Sequence, residues 1–292
     1  MSTYKPLDEL TLMDDYMFGV VMQNPALLKP LLEYILDFNV QSIEYIEPQR
    51  TMKSGYISRG IRVDLFVTDE RDNVYNVEVQ TTNPGNLPKR MRYYQSVIDI
   101  NVLNPGADYR TLRKSFIIFI CNHDPFGMGK VRYTFENRCV ELPALPLGDE
   151  TVKVIVNTKG ADRKIRPELN ELIHYMDSGI VSGRYSQTLE DAVRSVKSSE
   201  ERRHEYMIMM VREQEIRAQG REEGREEGRE EGREEGREEG RREQALATFK
   251  RLLAMNIPEA QARAMAFGDE NEFAPLPTAP DGQSTEEGDV NT

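Results

Sequence analysis

Two carboxylates, Asp64 and Glu78, lie where a metal-assisted reaction can be built. Between Ile61 and Gln80, two runs of strand-forming residues flank Glu70-Arg71-Asp72-Asn73, a polar turn by composition. A hairpin centred on Arg71 pairs Val63 with Val79, Leu65 with Val77 and Val67 with Tyr75 on an apolar face. The other face pairs Arg62 with Gln80, Asp64 with Glu78 and Phe66 with Asn76. A slip of one residue destroys that sorting, so the pattern itself supports the register. In this register the two carboxylates stand opposite each other, with Cβ atoms about 4.5–5.5 Å apart. Like charges so placed repel unless a cation lies between them. A hard divalent ion such as Mg²⁺ takes oxygen ligands and is commonly held by one or two carboxylates with water and phosphate. Gln80 shares that face and can orient water or phosphate without adding charge. The alternative is an ordinary polar face, with Arg62 and Arg71 neutralising the pair as surface salt bridges.

The elements that must position these residues alternate between helix and strand. Met13, Tyr16, Met17, Val20 and Val21 have helical spacing within residues 12–23. Asn24-Pro25 reads as an N-cap and first helical residue, and Leu27, Leu28, Leu31, Leu32, Ile35 and Leu36 follow on one face. Pro30 inside that helix should kink it. Residues 41–47, 61–68, 74–80, 115–121 and 152–156 read as strands, and 86–103 as a helix between strands. This order argues for an α/β layered domain. Tyr93 and Tyr94 point about 100° apart on a helix, so one packs on the sheet and the other borders the site. His123, His174 and His204, like Cys121 and Cys139, lack metal-ligand spacing.

Three stretches in this order resemble a known pattern: Asp15-Tyr16-Met17-Phe18, Val63-Asp64 continuing to Tyr75-Asn76-Val77-Glu78-Val79-Gln80, and Arg90-Met91-Arg92-Tyr93-Tyr94. Together they resemble the PD-(D/E)XK nuclease core and, more narrowly, the recombination-promoting nuclease (Rpn) family of transposase-like proteins. The resemblance implies a restriction-endonuclease-like α/β fold, a mixed central sheet flanked by helices. It implies a Mg²⁺-dependent DNA endonuclease, with Mn²⁺ as a second usable metal, linked to recombination or DNA mobility. Asp64 and Glu78 would carry over as metal ligands and Asp15 as an accessory acid. One position departs from the wider superfamily, where a Lys stands in place of Gln80. Gln is usual in the Rpn-like subset, and Arg90 or Arg92 is the candidate to supply the missing charge. Asp14-Asp15 also sits where acids favour a helix dipole without any catalysis. Two other functions fit the same residues: a catalytically inactive nuclease fold serving as an oligomeric DNA-binding or protein-interaction module, and a strand-transfer enzyme.

The formal charge of −12 does not exclude DNA. Arg221–Glu239 contributes −5 and Gly268–Thr292 contributes −7, which together account for all of it. The organisation expected is a nuclease-like domain over 1–180, a charged helical extension over 188–267, and a disordered acidic tail over 268–292. Within the extension, Gly-Arg-Glu-Glu occurs five times between Gly220 and Glu239. A tetrad advances about 400° along a helix, so Gly, Arg and Glu form slowly winding stripes. Each Gly costs about 1 kcal/mol against Ala, and Glu–Glu pairs at i,i+4 repel, so an isolated helix is not stable on these terms. The tract is then either a solvated, partly helical spacer or an association surface, and a homodimer or higher oligomer through 190–255 is expected. Residues 246–267 read as helix, turn, helix. The longest strongly apolar run, Phe116–Cys121, is far short of the roughly 20 residues of a membrane helix. No secretory pattern opens the chain and no disulfide framework is present, so a cytoplasmic location is expected.

Overall fold

A computed structural model of the chain describes residues 5–52, 61–161 and 164–268. The acidic tail therefore lies outside the described residues, apart from Gly268. Two compact units are present, Met1–Val211 and Arg212–Thr292.

The first unit is built on a six-stranded mixed sheet of order β1-β2-β3-β4-β6-β5. Its strands are β1 (Ile43–Met52), β2 (Ile61–Asp69), β3 (Val74–Gln80), β4 (Ser115–Cys121), β5 (Arg132–Phe135) and β6 (Thr151–Asn157). β1, β2 and β3 run antiparallel, β3, β4 and β6 run parallel, and β5 closes the far edge antiparallel to β6. The helices are α1 (Asp15–Val21), α2 (Pro25–Leu36), α3 (Leu87–Val102), α4 (Pro167–Ser178) and α5 (Arg184–Ser198). The α3 crossover between β3 and β4 covers one sheet face, with Leu87, Met91, Tyr94, Val97 and Ile98 packed on Ile117, Phe119 and Cys121. Helices α1, α2, α4 and α5 pack on the other, against Phe116, Ile118, Ile120, Val154 and Val156. β4 is buried on both sides, which is why Ser-Phe-Ile-Ile-Phe-Ile-Cys reads as an unbroken apolar run rather than an alternation.

The helix boundaries have local causes. Asn24 Oδ1 accepts from Ala26 N at 3.0 Å, so the expected cap of α2 is present. α1 starts at Asp15 rather than at residue 12, because Asp14 accepts from Thr11 N at 2.7 Å and Thr11 Oγ1 at 3.0 Å and holds that segment as a turn. β5, α4 and α5 lie beyond the elements the periodicity picks out. β5 is short and half-exposed, so it has no alternation to read. Leu189, Val193 and Tyr206, from the charged stretch that begins near residue 188, belong to the core of the first unit.

Helix α6 (Glu200–Ala254) is 55 residues long, and its first turns lie in the first unit. Tyr206 Oη donates to Lys5 O at 2.9 Å, and the Tyr16 and Tyr206 rings lie 4.8 Å apart. In the second unit, α6 continues through the Gly-Arg-Glu-Glu tract as helix, with residues 214–244 exposed. The tract is thus helical throughout, and no packing within the chain offsets the cost of its glycines over residues 214–244. A turn at Asn256–Pro258 leads to α7 (Glu259–Phe267), whose Phe267 ring lies 5.8 Å from Phe249.

The hairpin that presents the candidate site is tied at its turn by a buried carboxylate. Asp69 accepts from Arg71 N (2.9 Å), Asn73 N (3.0 Å), Asn73 Nδ2 (2.9 Å) and Tyr75 Oη (2.8 Å). Asp69→Ala strands these donors in a site only 1% exposed. It should cost about 3 kcal/mol, read as a lower urea midpoint with an unchanged m-value.

Candidate active site

The site begins where the β2–β3 ladder stops. From Thr68↔Val74 to Leu65↔Val77 the pairing follows the register expected from the hydrophobic pattern. One step further the side chains replace the main chain. Asp64 N donates to Glu78 Oε1 at 2.9 Å, and Val79 N donates to Asp64 Oδ2 at 3.0 Å. The two carboxylates are thus brought together, each held by the other strand's backbone. The alternation of β2 changes phase at the same level. Leu65 and Val67 enter the core beneath α1 and α2, whereas Ile61 and Val63 enter the core beneath α3. The expected Val63–Val79 pair is therefore absent, since Val79 packs in the opposite core. Nor is the polar face an open one: α3 covers it, and Glu78 is 1% exposed.

Arg90, on the second turn of α3, closes the group. Its NH2 donates to Glu78 Oε2 at 3.2 Å, and its NH1 donates to Gln80 Oε1. Its Nε and NH2 donate to Tyr94 Oη at 3.1 and 2.9 Å. The guanidinium carbon lies 5.1 Å from the ring centres of both Tyr94 and Phe119. Gln80 is fixed from its other end, with Nε2 donating to Thr82 O at 2.8 Å and Thr82 Oγ1 at 2.9 Å. Arg90, not Arg62 or Arg71, is the cation paired with Glu78. Arg92, the alternative to Arg90, is exposed. Two residues on from Arg90, it points about 200° away on the helix. Tyr94 both packs on the sheet and touches the site, and Tyr93 is on the exposed side. The i,i+4 spacing of Arg90 and Tyr94 was the signal available for this contact.

Asp15 opens α1 and is accessible to solvent. α1 lies close over β2, and a methyl group added at Gly19 would come within 3.9 Å of Asp64 O and Pro48 Cβ. Three acids thus influence one another. Burial first, and Asp15 second, push the Asp64 carboxyl up to about 7, against the opposing pull of Val79 N and Arg90. Burial, then Asp64, raises Glu78 well above the carboxylate range. Although Asp15 keeps access to solvent, the protein packed around its carboxyl, and then Asp14, raise it as well. Burial also pushes the Cys121 thiol up to about 12, which leaves it unreactive.

Among the described residues, no group of three or more His, Cys, Asp or Glu stands within range of a common metal position. The carboxylates of Asp64 and Glu78, each bonded to the other strand's backbone and each unfavourably buried as an anion, fit a hard cation that takes its remaining ligands from water and phosphate. They do not fit a soft or imidazole-seeking metal.

In comparison with known proteins, residues 14–140 match a family model described as PD-(D/E)XK nuclease family transposase. The matched segment contains Asp15, Asp64, Glu78, Gln80 and Arg90, and the mixed sheet with flanking helices agrees with that fold. No curated protein and no solved structure matched the chain.

The raised carboxyls make a pH prediction for metal-free protein. A carboxyl with a higher pKa when folded keeps its proton in the folded state after the unfolded chain has lost it. Its stabilising contribution is complete below about pH 4 and is lost as the pH rises through about 7, the position of Asp64. Thermal midpoints in EDTA should fall across this range. Asp64→Asn should flatten the profile and raise the midpoint at pH 8 by about 3 °C, the shift expected of roughly 1 kcal/mol in such a domain.

Proposed function

From a PD-(D/E)XK nuclease-family domain over residues 14–140, we propose that the protein is a divalent-metal-dependent DNA endonuclease that hydrolyses phosphodiester bonds, linked to recombination or DNA mobility. The observation that carries this reading is the guanidinium of Arg90, bonded to both Gln80 and Glu78. It brings a fixed positive charge to the position where Gln80 lacks one.

Asp64 and Glu78 would hold Mg²⁺, or Mn²⁺ in its place. The metal, when bound, lowers the pKa of a water and polarises a phosphoryl oxygen. Arg90 cannot lose its proton near neutral pH, so it offers charge to the developing phosphorane oxygens without titrating. Gln80 keeps that charge in place, since its carbonyl oxygen faces Arg90 and its amide is tied to Thr82. Tyr94 and Phe119 limit the guanidinium on the buried side. Asp15, at the accessible rim, adds a third acid that can orient a water or a metal ligand.

One observation favours the rival reading of an inactive fold. The Arg90–Glu78 pair satisfies part of the buried charge with no cation present. Cleavage of supercoiled plasmid separates the two. Nicking or linearisation with Mg²⁺ or Mn²⁺, stopped by EDTA and by Asp64→Asn, is the expected outcome. Arg90→Ala should slow cleavage by about 10²–10³-fold while duplex DNA still binds. No cleavage with either metal, with DNA binding intact, would establish the inactive fold. Joined rather than cut products would indicate strand transfer.

We also propose that the chain self-associates through residues 190–255 and works in the cytoplasm. Among the described residues, no helix is long and apolar enough to cross a membrane. Complementary Arg and Glu stripes beside a glycine stripe give the exposed α6 tract a surface on which a second copy can pack. Light scattering at micromolar concentration should give a dimer or larger species, and deletion of the tetrads should shift it toward monomer. A monomeric full-length chain would contradict this.

A further inference from the structure

Arg90 stands on the α3 side of the carboxylate pair, and a second arginine lies on the other side. Ile61 and Val63 pack toward α3, so Arg62 between them points away from it, toward α1 and Asp15. Arg62 is exposed, and its NH2 donates to Gln49 Oε1. Gln49 is unusual in its backbone. In the β1–β2 ladder, Pro48 pairs with Leu65 and Arg50 with Val63, and Gln49 falls between them, opposite Asp64. Its φ is +53°, in the left-handed region that a residue with a side chain seldom occupies within a strand. Such conformations persist where the surroundings hold them and collect at functional sites. The Gln49 amide is held from the other side by Met209, with Nε2 3.9 Å from Sδ. The strain thus sits beside the phase change in β2, at the level of the carboxylate pair, and directs the Gln49 carbonyl oxygen to Arg62.

We propose that Arg62, positioned by Gln49, forms a phosphate-binding site on the α1 side of the carboxylate pair. It would grip the DNA backbone beside the bond that Arg90 and the carboxylates address. This rests on the nuclease reading and extends it. An exposed guanidinium is suited to the role, since its planar fork can bind a phosphate oxygen pair while one amino group stays on Gln49. The two arginines would then bracket the carboxylates from opposite faces of the sheet. The field agrees, because both Arg62 and Arg90 favour the ionised forms of Asp15 and Asp64.

Binding in EDTA tests this independently of cleavage. A fluorescent 20-base-pair duplex is titrated with full-length protein over a series of KCl concentrations, using wild type, Arg62→Ala, Arg62→Lys, Gln49→Ala and the double variant. Thermal melts confirm that each is folded. Loss of one phosphate contact should weaken binding by about tenfold and reduce the slope of log K against log salt by about 0.9 in Arg62→Ala. Arg62→Lys keeps the charge and should keep the slope. Gln49→Ala should weaken binding alone and add nothing in the Arg62→Ala background. A merely structural Gln49 would lower the melting temperature and leave the salt slope as in wild type, which would overturn its positioning role. Wild-type binding with an unchanged Arg62→Ala slope would overturn the phosphate site and leave the nuclease reading standing. A wild-type protein that neither binds nor cuts DNA would overturn both.

Discussion

Two adjacent antiparallel strands stop bonding through their backbones at one level, and two carboxylates take over. Glu78 receives the Asp64 amide, and Asp64 receives the Val79 amide. Each buried N–H left unpaired would cost about 1–3 kcal/mol, so this exchange lets the strands part inside the fold. It also fixes both acids without a dedicated loop. Their placement follows from the ladder below them, which Asp69 anchors at the turn. Helices on both faces then complete the site: α3 brings Arg90 from one side, and α1 brings Asp15 from the other.

The arrangement is electrostatically costly. Like charges in a buried site oppose their own ionisation, and burial is the leading cause for both Asp64 and Glu78. Arg90 offsets part of this but is shared among Glu78, Gln80 and Tyr94. A site assembled for stability alone would replace the trio with apolar side chains of similar volume. The divalent cation proposed for the site would relieve part of this repulsion.

The second unit follows different physics. A regular tetrad places six glycines along a helix whose residues 214–244 are exposed. No packed face within the chain compensates for the glycines there. Stripes of opposite charge on one surface can compensate between copies, because the same sequence supplies both partners. The terminal turn is simpler, with Asn256 at φ +59° and Phe249 against Phe267 closing α6 on α7.

Much of this was legible in the residues. Alternation along Leu65–Thr68 and Val74–Val77 gave the hairpin register, because a shift of one residue would turn apolar side chains to the wrong face. Asn24-Pro25 announced α2, and Phe116–Cys121 announced a central strand. The motifs around Asp15, Asp64, Glu78 and Arg90 lie within the segment, residues 14–140, that matches the PD-(D/E)XK nuclease family transposase model. Such signals are local and survive in one dimension. The break of the ladder at Asp64, the burial of Glu78 beneath α3, the dual role of Tyr94 and the left-handed Gln49 had no local signal, because each depends on what another element places against it. Composition and period determined which residues form strands and which types of side chain share a hairpin. Tertiary packing alone decided which face of that hairpin is covered, and so which arginine meets which carboxylate.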